Sequence, residues 1–299
     1  MRIVSWNVNS IRSHHHRLVE WIERHDPDVI ALQETKCTDA VFAALMADVL
    51  GDGYEFVHHG HDHWNGVAIV SRVGIDDVRA GFPGSNRPPY DEARLLTATC
   101  GGVDVHSLYA PNGRELDSPH YLFKLVWLER LRTAVVPGRP TMLLGDFNVA
   151  PADRDIYDPS RWRRRTHASP PERAAIEALL DVGLRDVTRE HLPDDGVFTW
   201  WSYRPGQFAA NRGLRIDLAL CSDDVADRVE RVWIDVAERA DTHDLEKPSD
   251  HAPVVLDIDL GSGARGDGRG ASRARYRWSP DPGHGARPDR RFPGSGDRR

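Results

Sequence analysis

The chain has 299 residues, 40% of them hydrophobic, with nine Trp and a formal net charge of −7, so it can bury a sizeable core. No apolar stretch approaches the ~20 residues of a membrane span, and strand-like sequence begins at Arg2 without the apolar region of a signal peptide. The three cysteines lie far apart and form no CxxC motif, which argues against a disulfide framework or a zinc knuckle. We therefore expect a cytoplasmic protein without membrane contact.

Charge and composition change abruptly near residue 260. Residues 261–299 contain ten Arg, four Asp and neither Lys nor Glu, so the remainder of the chain is strongly acidic. An acidic body is a poor general DNA binder unless its carboxylates surround divalent cations, so charge neither requires nor excludes a nucleic-acid substrate.

The segment 261–299 lacks Ile, Leu and Val, and 13 of its 39 residues are Gly or Pro. Such a segment buries too little apolar surface to offset its ordering entropy, so we predict a disordered tail after a single domain of residues 1–260. Its Arg residues, with Tyr276 and Trp278, could hold DNA by charge and stacking. A solvated tail without a dedicated role is the alternative.

Within residues 1–260, short apolar runs alternate with helical patterns. Runs typical of strands occupy residues 3–6, 29–32, 67–70, 103–108, 141–144, 216–220 and 254–260. Helical spacing occupies residues 14–25, the segment with Phe42, Leu45 and Val49, and residues 120–135. A fourth helix begins with a capping box at Ser169 and Glu172 and ends near Gly183. The alternation predicts an α/β fold.

Polar residues occupy particular positions on these strands. Those that follow the carboxyl ends of apolar runs are Asn7, Glu34, Tyr109, Asp146 and Asn148, and those at strand beginnings are Asp217 and His251. A parallel sheet gathers functional groups at carboxyl ends only, whereas mixed sheets bring strand ends and strand beginnings to one rim. We therefore predict two packed mixed β-sheets flanked by helices.

This set of residue types suits phosphodiester hydrolysis. Glu34 is a candidate ligand for Mg²⁺, which prefers carboxylate and amide oxygens. A carboxylate beside an amide, as in Asp146 and Asn148, suits a base for water next to a phosphate-binding group, and Gly145 would allow close backbone approach. His251 could donate to a phosphate oxygen while Asp217 fixes its tautomer. Each motif alone also fits an ordinary turn or strand end, so the prediction depends on the joint occurrence.

The chain resembles the exonuclease III family of apurinic/apyrimidinic (AP) endonucleases, within the endonuclease/exonuclease/phosphatase superfamily. The matching motifs follow the family's order and cover nearly all of residues 1–260. They are Ser-Trp-Asn-Val-Asn (5–9), Leu-Gln-Glu-Thr-Lys (32–36), Tyr-Ala-Pro-Asn-Gly (109–113), Gly-Asp-Phe-Asn-Val-Ala-Pro (145–151), Asn-Arg-Gly-Leu-Arg-Ile-Asp (211–217) and Glu-Lys-Pro-Ser-Asp-His-Ala-Pro (246–253).

The resemblance implies a four-layer, DNase I-like α/β sandwich that uses Mg²⁺, with Mn²⁺ as a substitute. Glu34 would be the principal metal ligand, and the wider metal set would comprise Asn7, Glu34, Asp146, Asn148, Asp250 and His251. The implied catalytic residues are Tyr109, Asp146, Asn148, Asp217 and His251.

The resemblance also implies a monomeric DNA repair nuclease acting on double-stranded DNA with abasic or 3′-blocked lesions. It would cleave 5′ of abasic sites, degrade DNA from 3′ ends and clean blocked 3′ ends. The DNA-binding set would be Asn112, Arg161, Arg163, Arg164, Arg165, Trp200, Arg212 and Leu214. We predict the basic run 161–165 to be a loop on duplex phosphates. Trp200 and Leu214 would line a pocket for a flipped-out abasic sugar, and Trp201 would be a core residue.

Two alternatives remain from the residues themselves. A superfamily phosphoesterase could act on a non-DNA phosphodiester or phosphomonoester, and a catalytically silent descendant should lack part of the catalytic set, which is complete here. The histidines of residues 58–63 predict a polar loop, and neither they nor His14, His15 and His16 are assigned a role.

Overall fold

A computed structural model describes residues 1–47, 50, 53–84, 91–240 and 246–260. The predicted tail, 261–299, and Val49 of the second helical pattern lie outside the described residues. None of the helices in the described part of the chain is long and apolar enough to cross a membrane.

The described residues form twelve strands. They are β1 (Arg2–Asn7), β2 (Val29–Gln33), β3 (Glu55–His59), β4 (Val67–Ser71), β5 (Asp76–Ala80), β6 (Leu95–Cys100), β7 (Val103–Tyr109), β8 (Thr141–Asp146), β9 (Leu184–Asp186), β10 (Asp217–Ser222), β11 (Val229–Ile234) and β12 (Val254–Ile258). The first sheet has the order β11-β12-β1-β2-β4-β3, and the second has the order β5-β6-β7-β8-β10-β9.

Each sheet is built around one parallel pair of strands. β1 pairs in parallel with β2 in the first sheet, and β7 pairs in parallel with β8 in the second. The remaining neighbours are antiparallel, including β12 beside β1 and β10 beside β8. This arrangement confirms the prediction of mixed sheets, and it brings the beginnings of β10 and β12 to the rim where the parallel strands end.

In the described part of the chain, seven helices connect the strands, and four of them cover the outer faces of the two sheets. They are α1 (Ile11–His25), α2 (Asp39–Ala47), α3 (Pro119–Ala134), α4 (Pro159–Trp162), α5 (Pro170–Leu180), α6 (Val187–His191) and α7 (Asp223–Ala226), with 3₁₀ turns at Asp153–Asp155 and Val236–Arg239. α1 and α2 pack on the first sheet, and α3 and α5 pack on the second. The predicted four-layer sandwich is therefore confirmed.

Apolar side chains fill the space between the sheets. Ile3, Ala31 and Ile69 of the first sheet share one buried cluster with Val105 and Leu144 of the second. Burying a large aliphatic side chain contributes about 1.5–3 kcal/mol, so this layer holds the two rims in a fixed relation.

The predicted helix boundaries agree with the structure to within a few residues. Ser169 caps α5 and Glu172 closes the capping box, as predicted. α1 begins three residues before the predicted helix, because His14 interrupts it with a non-helical conformation (φ −136°, ψ 17°) and the regular apolar spacing starts only afterwards.

Several strands and three short helices, α4, α6 and α7, escape the sequence patterns. β5 is exposed at every residue, so it forms by backbone pairing at a sheet edge and has no apolar run. The loop predicted for the histidines was wrong at His58 and His59, which end β3, where backbone pairing with β4 fixes them. The loop predicted for 161–165 was wrong at Arg161, which lies in α4 after a proline at its first turn.

Candidate active site

The predicted polar residues converge where the parallel strands of both sheets end. Asn7 ends β1 and Glu34 directly follows β2, while Tyr109 ends β7 and Asp146 ends β8. Backbone register places Asp146 opposite both Tyr109 and Asp217.

Three side chains from both sheets could hold a cation. One ligand atom from each of Glu34, Asp146 and His251 lies within 4.8 Å of the others. The buried Asn7 joins two of them, because its Nδ2 donates to Glu34 Oε1 (2.8 Å) and to Asp146 Oδ2 (3.1 Å). Two carboxylates and few other protein ligands form the hard oxygen donor set that suits Mg²⁺, which keeps several waters when bound.

The two asparagines predicted as metal ligands use their oxygens elsewhere. Asn7 Oδ1 accepts from the Asn9 backbone N–H (3.0 Å), while its Nδ2 orients the two carboxylates. Asn148 Oδ1 accepts from Asn112 Nδ2 (3.2 Å) and lies 3.0 Å from His167 Nε2. In this structure both asparagines make positioning contacts, and their assignment as metal ligands stays a prediction.

Asp250 also lies outside the three-residue cluster. Its Oδ1 accepts from Asn9 Nδ2 (2.9 Å), and its Oδ2 accepts from Trp200 Nε1 (2.9 Å). Asn9 in turn accepts from Lys36, whose Nζ lies 2.8 Å from Glu34 Oε2. Asp250 therefore reaches Glu34 through two side chains, an outer position that the resemblance allows for it beside a second metal site, and its role stays a prediction.

The electrostatics of Asp146 favour a bound cation. Burial raises the pKa of its carboxyl, and the nearby carboxylates of Asp217 and Glu34 raise it further, whereas His251 opposes the rise. A divalent cation would stabilise the charged forms of Glu34 and Asp146 together, so the residues present fit the cation that the resemblance implies. Gly145 permits the approach of this strand end, since a Cβ there would lie 2.0 Å from Leu108 O.

His251 is held in its charged form by Asp217. Its Nδ1 lies 2.8 Å from Asp217 Oδ2, which also accepts from Thr199 Oγ1 (2.6 Å). Burial lowers the pKa of His251, but the ion pair with Asp217 outweighs burial and the pKa rises to about 10. Near neutral pH, His251 is therefore a hydrogen-bond donor, and its Nε2 lies 3.7 Å from Asp146 Oδ2.

Tyr109 is kept protonated beside the carboxylates. Burial and the adjacent Glu34 raise the pKa of its hydroxyl well above the usual value. The guanidinium of Arg94 lies 4.8 Å from the centre of the Tyr109 ring. Tyr109 therefore retains an O–H that can donate to a phosphate oxygen or a leaving group.

Asn148 lies in a cradle built by the second sheet and its helices. Its Nδ2 donates to Ala110 O (3.0 Å), and its backbone oxygen accepts from the buried Lys124 Nζ (2.6 Å). Lys124 also forms an ion pair with the buried Glu172, whose carboxylate accepts from the backbone of His167 (2.9 Å). The cradle fixes both ends of the Asn148 amide.

Sequence reasoning missed His167 and Lys124. His167 adopts φ +82°, a conformation that favours glycine, and its buried ring packs edge-on against Trp162 at 5.5 Å between centroids. The sequence contains no motif that points to it. Lys124 did leave a signal, because it interrupts the buried stripe of Tyr121, Leu128 and Leu131 on α3.

The predicted DNA-contacting residues divide by exposure. Exposed side chains, available to a duplex, are Asn112, Arg161, Arg163, Arg164, Arg165 and Arg212. A groove of about 690 Å³ lies between the turn after Asn112 and this basic segment, and its walls include Arg164, Arg165 and His167.

The apolar residues predicted for the abasic-sugar pocket are less accessible. Leu214 is 0% exposed because it packs with Ile156 and Ile216, so it offers no surface to DNA in this structure and its DNA contact stays a prediction. Trp200 is partly buried on that cluster, with its indole N–H bonded to Asp250. Trp201 is a core residue, as predicted.

Two carboxylates at a shared rim, a charged His–Asp pair and a fixed amide define a cation-assisted phosphoesterase site. The model of the Endonuclease/Exonuclease/phosphatase family matches residues 4–251, most of the chain, and the chain belongs to this family.

The relatives narrow this assignment. Exodeoxyribonuclease III of Haemophilus influenzae is 35% identical over 273 residues, which are 85% of this chain and 98% of that protein. The solved 3′ phosphatase NExo from Neisseria, bound to a product DNA hairpin, is 39% identical with a TM-score of 0.80, covering 87% of this chain and 99% of its own.

An AP endonuclease from Archaeoglobus fulgidus is 34% identical with a TM-score of 0.79, covering 87% of this chain and 100% of its own. The predicted resemblance is thus confirmed, and the chain groups with hydrolytic DNA repair nucleases of the exonuclease III type.

Proposed function

We propose that this protein is a Mg²⁺-dependent nuclease, with Mn²⁺ as a substitute, that hydrolyses phosphoester bonds at the 3′ ends of duplex DNA. Incision 5′ of abasic sites is the second candidate activity. The cluster of Glu34, Asp146 and His251, with Asp217 behind the histidine, is the observation that carries the proposal. The named activities of the relatives, a 3′ phosphatase and an AP endonuclease, support both activities.

The burial of Leu214 is the reason for ranking the 3′-terminal activity ahead of incision at abasic sites. An abasic sugar turned out of the duplex needs an open apolar pocket, and Leu214, predicted to line one, has no exposed surface. A terminal nucleotide is less constrained by stacking and needs no such pocket. The burial of Leu214 therefore favours 3′-terminal bonds as the preferred substrate.

The chain's residues would divide the chemistry among them. Glu34 and Asp146 would hold the cation, which when bound supplies charge neutralisation on the phosphoryl oxygens. Asp146 would also take the proton of the attacking water, and His251, whose Nε2 lies 3.7 Å from Asp146 Oδ2, would favour its ionised form by lowering its pKa. His251 and Tyr109 would donate hydrogen bonds to oxygens that gain charge.

Asn148 would fix the phosphate. One N–H of its Nδ2 is used on Ala110 O, which leaves the second N–H for a phosphate oxygen. The exposed arginines of residues 161–165 would bind duplex phosphates beyond the cleaved bond, a contact that positions DNA without reading its sequence. We further propose that the protein acts as a monomer in the cytoplasm.

The test is a cleavage assay on three duplexes that carry a 3′ phosphate at a nick, a recessed 3′ hydroxyl end or one internal abasic analogue. We expect cleavage with Mg²⁺ or Mn²⁺ and none with EDTA, fastest on the two 3′-terminal substrates. Asp146→Ala should abolish cleavage, whereas Asp76→Asn, on the exposed strand β5, should not change it.

Three outcomes would count against the proposal. Metal-independent cleavage would contradict the cation site, and unchanged cleavage by Asp146→Ala would contradict the base. Faster hydrolysis of a small soluble phosphodiester than of any duplex would favour the non-DNA alternative.

A further inference from the structure

A second group of metal-ligating side chains lies on the outer face of α1, and the nuclease chemistry does not use it. His15 and His16 of α1 meet Glu246, which precedes Asp250 and His251 in the chain. One ligand atom from each of the three residues lies within 4.8 Å of the other two.

The separation of His15 and Glu246 fits two ligands of one ion better than a direct hydrogen bond. His15 Nδ1 lies 3.7 Å from Glu246 Oε1, beyond the hydrogen-bond range. Tetrahedral ligands at zinc distances lie roughly 3.4 Å apart. His15 Nδ1 is buried and has no hydrogen-bond partner among the described residues. A cation would therefore satisfy an atom that is otherwise without a partner.

The two imidazoles are brought together in an unusual way for neighbours on a helix. Successive helical residues point roughly 100° apart, yet the ring centroids of His15 and His16 are only 3.8 Å apart. The His15 and Glu246 side chains are 25% and 12% exposed, whereas His16 is exposed. The group is thus fixed on its inner side and open to water on its outer side.

Glu246 is held in place by the next residue of α1. Its Oε2 accepts from the Arg17 backbone N–H (3.5 Å), and its backbone oxygen accepts from Arg17 Nε (3.1 Å). These contacts leave Oε1 facing His15. The carboxylate is therefore oriented before any ion binds, which is what outer contacts do for metal ligands in general.

We propose that His15, His16 and Glu246 bind one first-row transition cation, with Zn²⁺ as the test ion and water completing the coordination. Two imidazoles and one carboxylate match zinc, whereas Mg²⁺ prefers oxygen ligands, so the site differs in metal preference from the Glu34 and Asp146 rim. The ion would link α1 to the segment that leads into His251, and it would stabilise the folded chain in proportion to its affinity.

The test is calorimetric titration of the full, untagged chain with ZnCl₂. The cluster of Glu34, Asp146 and His251 can also bind Zn²⁺. The test therefore compares the number of zinc equivalents bound by the wild type and by each variant. We expect Glu246→Gln and the double variant His15→Gln/His16→Gln each to bind one equivalent fewer, or to bind it about tenfold or more weakly, since even outer contacts carry that much affinity. The matched control, His63→Gln/His120→Gln, removes two exposed histidines and should bind as the wild type does.

A second readout separates binding from folding. The thermal midpoint without zinc should be the same in all four proteins, because Glu246→Gln keeps the acceptor that faces Arg17, His15 Nδ1 has no hydrogen bond to lose among the described residues, and His16 is exposed. Added ZnCl₂ should then raise the midpoint of the wild type and of the control more than that of the two site variants. Equal stoichiometry and affinity in the wild type and both site variants would overturn the proposal, whatever the nuclease activity.

Discussion

The two sheets contribute to the rim in different ways. The first sheet presents Glu34 through partly exposed contacts, such as its ion pair with Lys36. The second sheet presents its residues on buried ion pairs. Lys124 and Glu172 are both 0% exposed, and Arg215 is buried against Asp155.

The difference indicates what each sheet does before substrate arrives. Buried charge pairs are costly to break, so the second sheet holds Asn148 in place through Lys124, whereas Asp146 also accepts from Asn7 of the first sheet. The contacts of Glu34 on the first sheet are weaker, because solvent screens partly exposed pairs. A cation bound between the two sheets would add the contact that fixes Glu34. If so, changes to the second sheet's residues should have larger effects than changes to Glu34.

The largest effect on turnover is expected from Asp146→Asn, and Glu34→Gln is its comparison variant. The amide that replaces the Asp146 carboxylate could not accept a proton, so turnover should fall by about 10³–10⁴-fold at any Mg²⁺ concentration. Glu34→Gln weakens only cation binding, so part of its loss should return as Mg²⁺ is raised. The measurement is turnover on a 3′-phosphate duplex across a magnesium titration. If raised Mg²⁺ restored turnover equally in both variants, Asp146 would have no role beyond cation binding, and the proposed difference between the sheets would be wrong.

Removing Lys124 should be the most destabilising change in the second sheet's support. Lys124→Met leaves Glu172 buried without a counter-charge, at a cost of about 3–5 kcal/mol in the free energy of unfolding. Denaturant unfolding measures this loss, and the double variant Lys124→Met/Glu172→Gln should recover part of it. Arg132→Met, at an exposed pair with Glu129, is the matched control and should leave stability unchanged.

The sequence predicts the active-site residues better than it predicts the residues that support them. Asn7, Glu34, Asp146 and His251 lie at strand ends or beginnings, where a polar residue beside an apolar run is visible in the sequence. The supporting residues Lys124 and Glu172 show no such pattern in the sequence. Glu172 could be predicted as a helix cap, but its pairing with Lys124 depends on how α3 packs against α5. Edge strands such as β5 likewise form through backbone pairing, which composition does not encode.

The burial of Leu214 gives a second example. Its motif predicts proximity to the site, and it does form a bridge with Trp200, which itself bridges to His251. Exposure, however, depends on the side chains that pack over it from the chain around Ile156. A motif can therefore locate a residue without predicting which atoms remain available to DNA.

Asp217→Asn should have a smaller effect, and it depends on pH. His251 is protonated below a pKa of about 10 in the folded protein, above its usual value of 6.5. Its ion pair therefore contributes stability that is fully present below pH 6.5 and is lost as pH rises through about 10. Without the carboxylate, burial dominates and lowers this pKa, so turnover near pH 8 should fall by about 10²-fold.

The measurement for Asp217→Asn is a pH–rate profile beside the wild type. The alkaline limb should move to lower pH in the variant, whereas Asp224→Asn, exposed just beyond the far end of the same strand, should leave it in place. An alkaline limb that stays where it is in the wild type would show that His251 does not carry the essential proton.

His167→Gly should have the smallest effect and should separate stability from activity. Glycine relieves the φ +82° backbone, worth about 1–3 kcal/mol, so the variant should be at least as stable despite losing the ring. Without His167 Nε2, the Asn148 amide keeps only Asn112 on its oxygen, and turnover should fall by about threefold to tenfold, a loss of one hydrogen bond.

The comparison variant is His167→Asn, which keeps a side-chain donor and tolerates the left-handed conformation better than most residues. It should retain more turnover than His167→Gly without being more stable. A fall in turnover at an unchanged thermal midpoint, with KM for the duplex unchanged, would point to the looser Asn148 amide, because His167 also lines the groove beside Arg164 and Arg165. Equal turnover in both variants and the wild type would mean that Ala110 and Asn112 alone fix Asn148, and that the second sheet needs less support than its buried network provides.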